Sequence, residues 1–411
     1  MDHDTTDFHT EPFRGSNHAP LDPETEADII VVGAGPAGLA VAACLVRRGH
    51  SPLVFDQAKD VASSWRHHYE RLHLHTVKTH SALPGMPFPA DAPRYVPRQG
   101  VVDYMVAYAR KHGIQPELGQ RVTAIEPRQG HGAPWDVVLA QGRRISANHV
   151  VVATGANRQP RAPKLPGEDV FQGRLLHSRN YRNAAPFAGQ RVLVVGMGNT
   201  GAEIALDLAE HGVRAALSVR SPVNIVLRDV LGRPTQLSSI MLSKLPAAWG
   251  DALGTLLRDL TVGDLSRYGL HTPEHSPLRQ MREQGKVPVI DVGTIRRIKS
   301  GDIQVYPGIQ TLTSGGVRFT DGSEHPFDAV LLATGYHAAL REFFPFTPLP
   351  LDERGMPADV SGQGALEGVH FVGFDVLQPG GLLRTIAQQA EAVADRISTR
   401  QAQGHGDRHG A

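Results

Sequence analysis

The 411-residue chain sets 42 lysines and arginines against 41 aspartates and glutamates, a net charge of +1, so no chain-wide field draws it to nucleic acid or to an anionic membrane. Its length supports two or three domains with ample cores. A single cysteine, Cys44, excludes an intrachain disulfide and fits a reducing compartment, the cytoplasm, and a small-molecule partner.

Residues 1–26 are rich in Asp, His, Thr and Pro, lack an apolar core of signal-peptide type, and read as a disordered tail. A β-branched strand over 29–32 then leads through Gly33-Ala34-Gly35-Pro36-Ala37-Gly38 into a helix over 39–48, with Gly49 as C-cap. Gly33 turns the chain off the strand, Gly35 leaves room for a pyrophosphate, and Gly38 lets the helix pack closely; the free N–H groups of the helix start face the phosphates. The next strand, over 52–55, ends at Asp56-Gln57, where an acid accepts hydrogen bonds from a ribose. A lone GxGxxG means only a tight turn. Its strand, helix and acid make this one a dinucleotide site. Cys44, in mid-helix, reads as a buried apolar residue.

A His- and Pro-rich stretch over 65–98 precedes a helix over 100–112, a hairpin pattern that starts at Trp135 and turns at Gln141-Gly142, and a strand ending in Ala153-Thr154-Gly155. The second half repeats this plan. A strand over 191–195 meets Gly196, Gly198 and Gly201, which enclose Asn199 and Thr200; a helix over 202–211, a strand over 215–219, a hairpin signal at 317–322 and Ala333-Thr334-Gly335 follow. Two nucleotide modules of one design are implied. At the ribose position the second module carries Arg220-Ser221. An arginine there either pairs with a 2′-phosphate, selecting NADPH over NADH, or is a solvated strand-end cation. An acid in one module and an arginine in the other suggest FAD in the first and NADPH in the second. Thr154-Gly155 and Thr334-Gly335 are small enough for the strand ends to approach the nucleotides. The insert over 230–285 alternates apolar residues with charges at helical spacing and reads as a packed surface helix pair; its most apolar part, 240–262, is too interrupted by charge to span a bilayer. Gly380-Gly381-Leu382 opens the last helix, and residues 401–411 read as a second disordered tail.

Between the modules stands Phe171-Gln-Gly-Arg-Leu-Leu-His177-Ser-Arg-Asn-Tyr181, which matches the FxGxxxHxxx(Y/F) fingerprint of flavin-containing monooxygenases. With both glycine motifs and both Ala-Thr-Gly elements, the chain resembles that class B family over roughly residues 28–336. The nearer resemblance is to the YUCCA-type indole-3-pyruvate monooxygenases, in Met197-Gly-Asn-Thr-Gly-Ala-Glu203, Arg71-Leu-His-Leu-His75, Leu83-Pro-Gly-Met-Pro-Phe-Pro89 and Pro288-Val-Ile-Asp-Val-Gly293. The resemblance implies an α/β fold of two Rossmann-like dinucleotide-binding domains, an FAD domain over 27–183 and 326–400 with the NADPH domain, 184–325, inserted in it. It also implies the reaction: NADPH reduces FAD, O2 adds at the flavin C4a to give a peroxyflavin, and an aromatic α-keto acid such as indole-3-pyruvate is decarboxylated to the shortened acid. N- or S-oxygenation of a small amine or sulfide stays open, as does a non-catalytic NADPH- and FAD-binding regulator. A dithiol-disulfide reductase does not, since it needs a cysteine pair. The partners implied are a small-molecule substrate and O2, with no nucleic acid or membrane; a homodimer is left open.

In the family an asparagine, three positions before a lysine, lies beside the flavin. His75 and Lys78 take those places here. The resemblance thus makes His75 a hydrogen-bond donor to the oxygenating group or to a substrate carbonyl, against the alternative of an ordinary loop histidine among His67, His68, His73 and His80. No carboxylate or cysteine accompanies these histidines at ligand spacing, so no metal is expected. Trp65, Val122 and Leu382 are carried over as FAD contacts, with an ordinary core aromatic as the alternative for Trp65. His177 and Tyr181 shape the hinge and the NADP pocket, and Asn199, which joins His75 and Lys78 as a catalytic candidate, is either a structural residue or a nicotinamide contact.

Overall fold

The computed structural model describes residues 26–128 and 134–408; apart from Glu26, the expected N-terminal tail lies outside them. In chain order the first elements are β1 (Glu26–Val32), α1 (Pro36–Val46), β2 (Leu53–Asp56), α2 (Ser63–Arg66), α3 (Arg98–Lys111), β3 (Glu117–Leu118), β4 (Val122–Pro127), β5 (Trp135–Leu139), β6 (Arg144–Val152) and β7 (Gln159–Pro160). There follow β8 (Arg174–His177), β9 (Arg191–Val195), α4 (Asn199–Glu210), β10 (Arg214–Ser218), β11 (Ile225–Leu227), β12 (Asp229–Val230), β13 (Arg233–Pro234), α5 (Thr235–Leu242), α6 (Ala247–Thr261) and α7 (Pro277–Gln284). The last are β14 (Val289–Asp291), α8 (Thr294–Lys299), β15 (Ile303–Tyr306), β16 (Ile309–Thr313), β17 (Gly316–Phe319), β18 (Glu324–Pro326), β19 (Ala329–Leu332), β20 (Tyr336–His337), β21 (Val369–Phe371) and α9 (Leu382–Arg408). No helix among the described residues is long and apolar enough to cross a membrane.

The described residues divide into two compact units, the first made of those within 26–66, 78–159 and 337–408, the second of 67–77 and 160–336. In the first, a sheet runs β3-β2-β1-β6-β5-β4, with β21 also pairing β6. The strands β3, β2, β1, β6 and β21 are parallel to their neighbours, and β4, β5 and β6 form an antiparallel meander. Strand β1 is covered on both faces, by α1 on one and by the apolar residues of segment 338–374 on the other, which is why Ile29 to Val32 form an unbroken buried run instead of an alternating one. The helix α1 is apolar all round because it is buried all round: residues 37–45, Cys44 included, have lost nearly all solvent contact. Burial pushes the Cys44 thiol up to about 12, so it packs as an inert apolar group. Arg47 and Arg48 pair with Glu391 and Asp395, tying the end of α1 to α9.

The second unit holds a parallel sheet in the order β15-β10-β9-β19-β8, with Val194 aligned to Leu217 and to Leu331. Its core gathers Val192, Val194, Ile204, Leu208, Leu217 and Leu331. The boundaries fall further out than the 183/184 and 325/326 expected from sequence. The reason lies in the hydrogen bonding: β8 and β19 both belong to this second sheet, so a cut at those positions would divide it. The excursion 67–77 joins the same unit. A second difference is at the C-terminus, where α9 runs to Arg408 and so past the expected tail start at 401; the helix formers Gln401-Ala402-Gln403 carry it on. A third is α6. It packs with α5 and α7 as a surface helix, but the buried residues along it are Gly250 and Arg258 while most of its leucines face out.

Candidate functional site

Each unit carries a strand, a glycine turn and a helix, and the three glycines of each turn answer to different constraints. Gly33 holds a φ of +112°, and a Cβ there would stand 2.6 Å from the carbonyl oxygen of Ala153 on the neighbouring strand end. A Cβ on Gly38 would stand 1.8 Å from the Gly33 carbonyl oxygen. The second unit repeats this: Gly196 has a φ of +100° with its Cβ position 2.9 Å from the Ala333 oxygen, and Gly201 is 2.0 Å from the Gly196 oxygen. The alanine of each Ala-Thr-Gly element is thus the residue that closes on the first glycine. The middle glycines differ in kind. A Cβ on Gly35 or Gly198 would meet no protein atom within 4 Å, and neither glycine requires a positive φ. The fold has no use for the missing side chain there, which leaves a ligand's close approach as the reason for it.

Gly35 and Gly198 are also the N-caps of α1 and α4, and neither helix has a side-chain cap. The first-turn N–H groups of Ala37 and Gly38, and of Thr200 and Gly201, therefore keep the donors and the positive dipole end that an anion needs. Pro36 opens α1 at a position where its missing N–H costs nothing. In the first unit the Asp56 carboxylate ends β2 and accepts the N–H groups of Ala34 (2.6 Å) and Ala58 (2.8 Å). Each oxygen keeps a lone pair for a ribose hydroxyl. The Thr154 hydroxyl is buried and, among the described residues, has no hydrogen-bond partner, an orphan beside the open cradle. Gln57 is exposed, Trp65 lies half-buried in α2, Val122 is buried at the start of β4, and Leu382 opens α9 behind Gly380 and Gly381, both at positive φ.

In the second unit Arg220 and Ser221 follow β10 and are exposed. Among the described residues no ion pair or hydrogen bond engages the Arg220 guanidinium, so it can meet an anion. Thr334 Oγ1 donates to the Arg161 carbonyl, unlike its counterpart Thr154. His177 Nε2 donates to the Gly335 carbonyl at 3.1 Å while Nδ1 accepts the Arg179 N–H at 3.1 Å. Burial holds this imidazole below its ordinary range, so it is neutral with the proton on Nε2. The Tyr181 hydroxyl donates to buried Asp207 on α4 at 2.6 Å, and burial followed by that carboxylate raises its pKa far above the ordinary range. A Cβ on Gly173 would stand 2.7 Å from the Asp328 carbonyl oxygen. The whole Phe171–Tyr181 fingerprint thus braces β8 against the Ala-Thr-Gly loop and α4.

Of the three residues singled out for catalysis, two lie in this unit. His75 Nε2 donates to the buried Glu203 carboxylate of α4, which also accepts the Tyr69 hydroxyl. Burial and the Glu203 charge raise the Tyr69 pKa well above its usual value. Glu203 and Tyr69 were not singled out in the sequence; the only signal was a carboxylate within the apolar stretch that follows Gly201. Asn199 joins α4 to β14: its Oδ1 accepts the Ile290 N–H at 2.7 Å, and its Nδ2 reaches the Pro288 carbonyl at 3.4 Å. Lys78 belongs to the first unit, and its ammonium donates to the carbonyls of Pro89, Ala90 and Ala92. Those three bonds use all its donors on the loop that follows it. Among the described residues no cluster of His, Cys, Asp and Glu is placed to hold a metal ion.

Comparison with known proteins fits this duplicated geometry. A family described as flavin-binding monooxygenase-like matches residues 26–351. Similar proteins include the indole-3-pyruvate monooxygenase YUCCA1 of Oryza sativa subsp. japonica, 38% identical over 373 residues, covering 89% of this chain and 90% of that protein. YUCCA6 of Arabidopsis thaliana, also an indole-3-pyruvate monooxygenase, is 38% identical over 84% of this chain and 85% of its own length. The fold is similar to that of a flavin-containing monooxygenase from Stenotrophomonas maltophilia, with a TM-score of 0.70 at 23% identity over 92% of this chain and 99% of that one. It is also similar to a cyclohexanone monooxygenase, with a TM-score of 0.71 at 19% identity over 92% and 89%.

Proposed function

The chain belongs to the flavin-binding monooxygenase-like family, and on that premise we propose that it holds FAD at the first cradle and NADPH at the second and oxygenates an aromatic α-keto acid such as indole-3-pyruvate, giving the shortened acid and carbon dioxide. The observation that carries the reading is the pair of open middle glycines, Gly35 and Gly198, each capping a helix with free N–H groups. When bound, the two cofactors supply the electrons and the activation of O2. The protein's part is to bind, orient and shield. Ala37 and Gly38 present N–H donors to one pyrophosphate and Thr200 and Gly201 to the other. Asp56 takes the ribose hydroxyls of the first nucleotide, and the Thr154 hydroxyl gains the partner it lacks. Arg220, with Ser221 beside it, pairs with the 2′-phosphate of the second nucleotide and sets its preference over NADH.

His75 is the polar group best suited to accept a hydrogen bond from an O–H group of the substrate or of the reacting oxygen, since its one N–H already serves Glu203. Glu203 fixes its Nε2 proton and so its tautomer, which leaves Nδ1 as the nitrogen free to accept. Tyr69 shares that carboxylate and keeps it from turning away. The proposed setting is cytoplasmic, in keeping with the single buried thiol.

The test supplies purified FAD-loaded protein with NADPH, O2 and indole-3-pyruvate, and measures NADPH oxidised, carbon dioxide released and indole acid formed. One acid and one carbon dioxide per NADPH is the expected result. NADPH oxidation that yields only hydrogen peroxide with the keto acid, but an N- or S-oxide with amines or sulfides, would transfer the activity to the other substrate class. No NADPH oxidation with any of them would leave a binding protein.

A further inference from the structure

We infer that the outer face of α6 is the contact surface of a symmetric dimer of this chain. The helix is inside out. Arg258 is buried, its guanidinium donating to Asn224 Oδ1 at 2.8 Å, to the Pro273 carbonyl at 3.3 Å and to Asp259 at 2.8 Å. Asp251 is likewise engaged, by Arg282 at 2.6 Å and Ser276 at 2.7 Å. The charges of α6 are therefore spent within the chain, while Trp249, Leu253, Leu256, Leu257 and Leu260 face solvent, with Trp249 71%, Leu256 53% and Leu260 75% exposed. Trp249, Leu253, Leu256 and Leu260 follow in steps of four, three and four. That spacing keeps one stripe facing a helix laid along it.

The area and the charge pattern select the occupant. With Met241 and Leu245, also exposed, the patch offers roughly 700 Å² of apolar side chain, against the about 800 Å² that each partner contributes to a stable interface and the few hundred Å² that a monomer ordinarily leaves to water. A helix that lies on anionic lipid carries lysines and arginines on its polar face. The one cation of α6, Arg258, is buried instead. A second copy fits better. In an antiparallel pair, with the two-fold axis passing between residues 254 and 255, Trp249 lies on Leu260 of the other copy and Leu253 on its Leu256. Lys244, just before α6, then faces Asp264, just past the end of the other helix, and the helix dipoles oppose.

Sedimentation of the full FAD-loaded chain at micromolar concentration tests this. The expected mass is twice 44.4 kDa. Leu256→Lys with Leu260→Lys should give the single-chain mass with an unchanged circular dichroism spectrum, since both side chains are already in water, and should raise the dimer dissociation constant on the order of a hundredfold. Lys244→Glu should raise it several-fold, and no change there would overturn the antiparallel arrangement. Wild-type protein at the single-chain mass, or a double variant that stays dimeric, would overturn the proposal. So would a wild-type monomer that floats with phosphatidylserine vesicles through the same leucines, which would give the face to lipid.

Discussion

Replacing one hydrogen by a methyl group separates the two reasons a glycine stands in each motif. At Gly35 the new Cβ meets no protein atom, and the residue already has an extended conformation open to any side chain, so Gly35→Ala should change stability by no more than about 1 kcal/mol. FAD retention through gel filtration should nevertheless fall at least about tenfold, because the methyl occupies the space proposed for the pyrophosphate. Gly38→Ala should do the reverse. Its Cβ would overlap the Gly33 carbonyl oxygen, costing about 3 kcal/mol or more, read as a lowered Tm with or without flavin. A Gly35→Ala protein that keeps its FAD would remove the nucleotide from this cradle. Arg220 gives the matching test in the other unit. An exposed guanidinium that no partner among the described residues holds can be removed without cost to the fold, so Arg220→Ala should leave Tm unchanged. It should raise the KM for NADPH about 10- to 100-fold and leave that for NADH unaltered, the loss of one charge-assisted contact. Equal effects on both nucleotides would exclude contact with the 2′-phosphate.

Between single residues and the whole chain lie the elements, where Lys78 has two competing roles. Its spacing after His75 suggests the reaction, and its bonds suggest the loop over 89–92. Lys78→Met keeps the apolar stem and removes the donors. If the loop is its role, the variant should lose about 1–3 kcal/mol of stability and keep its kcat at temperatures where it stays folded. A kcat lowered more than tenfold at an unchanged Tm would return Lys78 to the chemistry. This residue also shows which information a sequence carries. The two glycine turns and the Ala-Thr-Gly ends were legible because each constraint acts within a few residues or between two copies of one pattern. The partners of Lys78 were not, because they are backbone carbonyls, which any residue supplies. Glu203 was missed for a related reason. Its partners, His75 and Tyr69, stand more than a hundred positions away, and a carboxylate on a helix ordinarily reads as a solvated one. Helical periodicity revealed that α6 has two faces but not which one is buried. That choice came from Asn224 and the Pro273 carbonyl, which supply Arg258 with a polar socket. The domain boundaries were set by β8 and β19 joining the second sheet, a pairing between segments about 150 residues apart.

For the molecule as a whole, the largest histidine contribution to the pH dependence of stability comes from a buried pair inside the first unit. His370 on β21 and His149 on β6 are both buried, with His370 Nε2 3.4 Å from His149 Nδ1 and the other nitrogen of His370 2.9 Å from the Ser361 hydroxyl. Burial, then the neighbouring His149, Arg396 and Arg400, lowers the His370 pKa to about 3; burial also lowers that of His149, against a small opposing pull from Asp28. Above pH 6.5, the unfolded value, neither state of the chain protonates His370, and its contribution to stability is fully present. As pH falls from 6.5 toward 3 the unfolded chain binds a proton that the folded chain refuses, so stability drops by about 1.4 kcal/mol per pH unit for this residue. Carboxylates held low by arginines, such as Asp328 at about 2 beside Arg191, act only in the lowest part of this range and below it, as pH falls through their unfolded value of 3.8. The interval from pH 6.5 to 4.5 therefore belongs to the histidines. Urea midpoints measured across it should decline steadily. His370→Gln, which keeps a polar group near Ser361 but cannot titrate, should be less stable at pH 7 and show a slope shallower by about one proton. An unchanged slope in that variant would place the acid-sensitive step elsewhere.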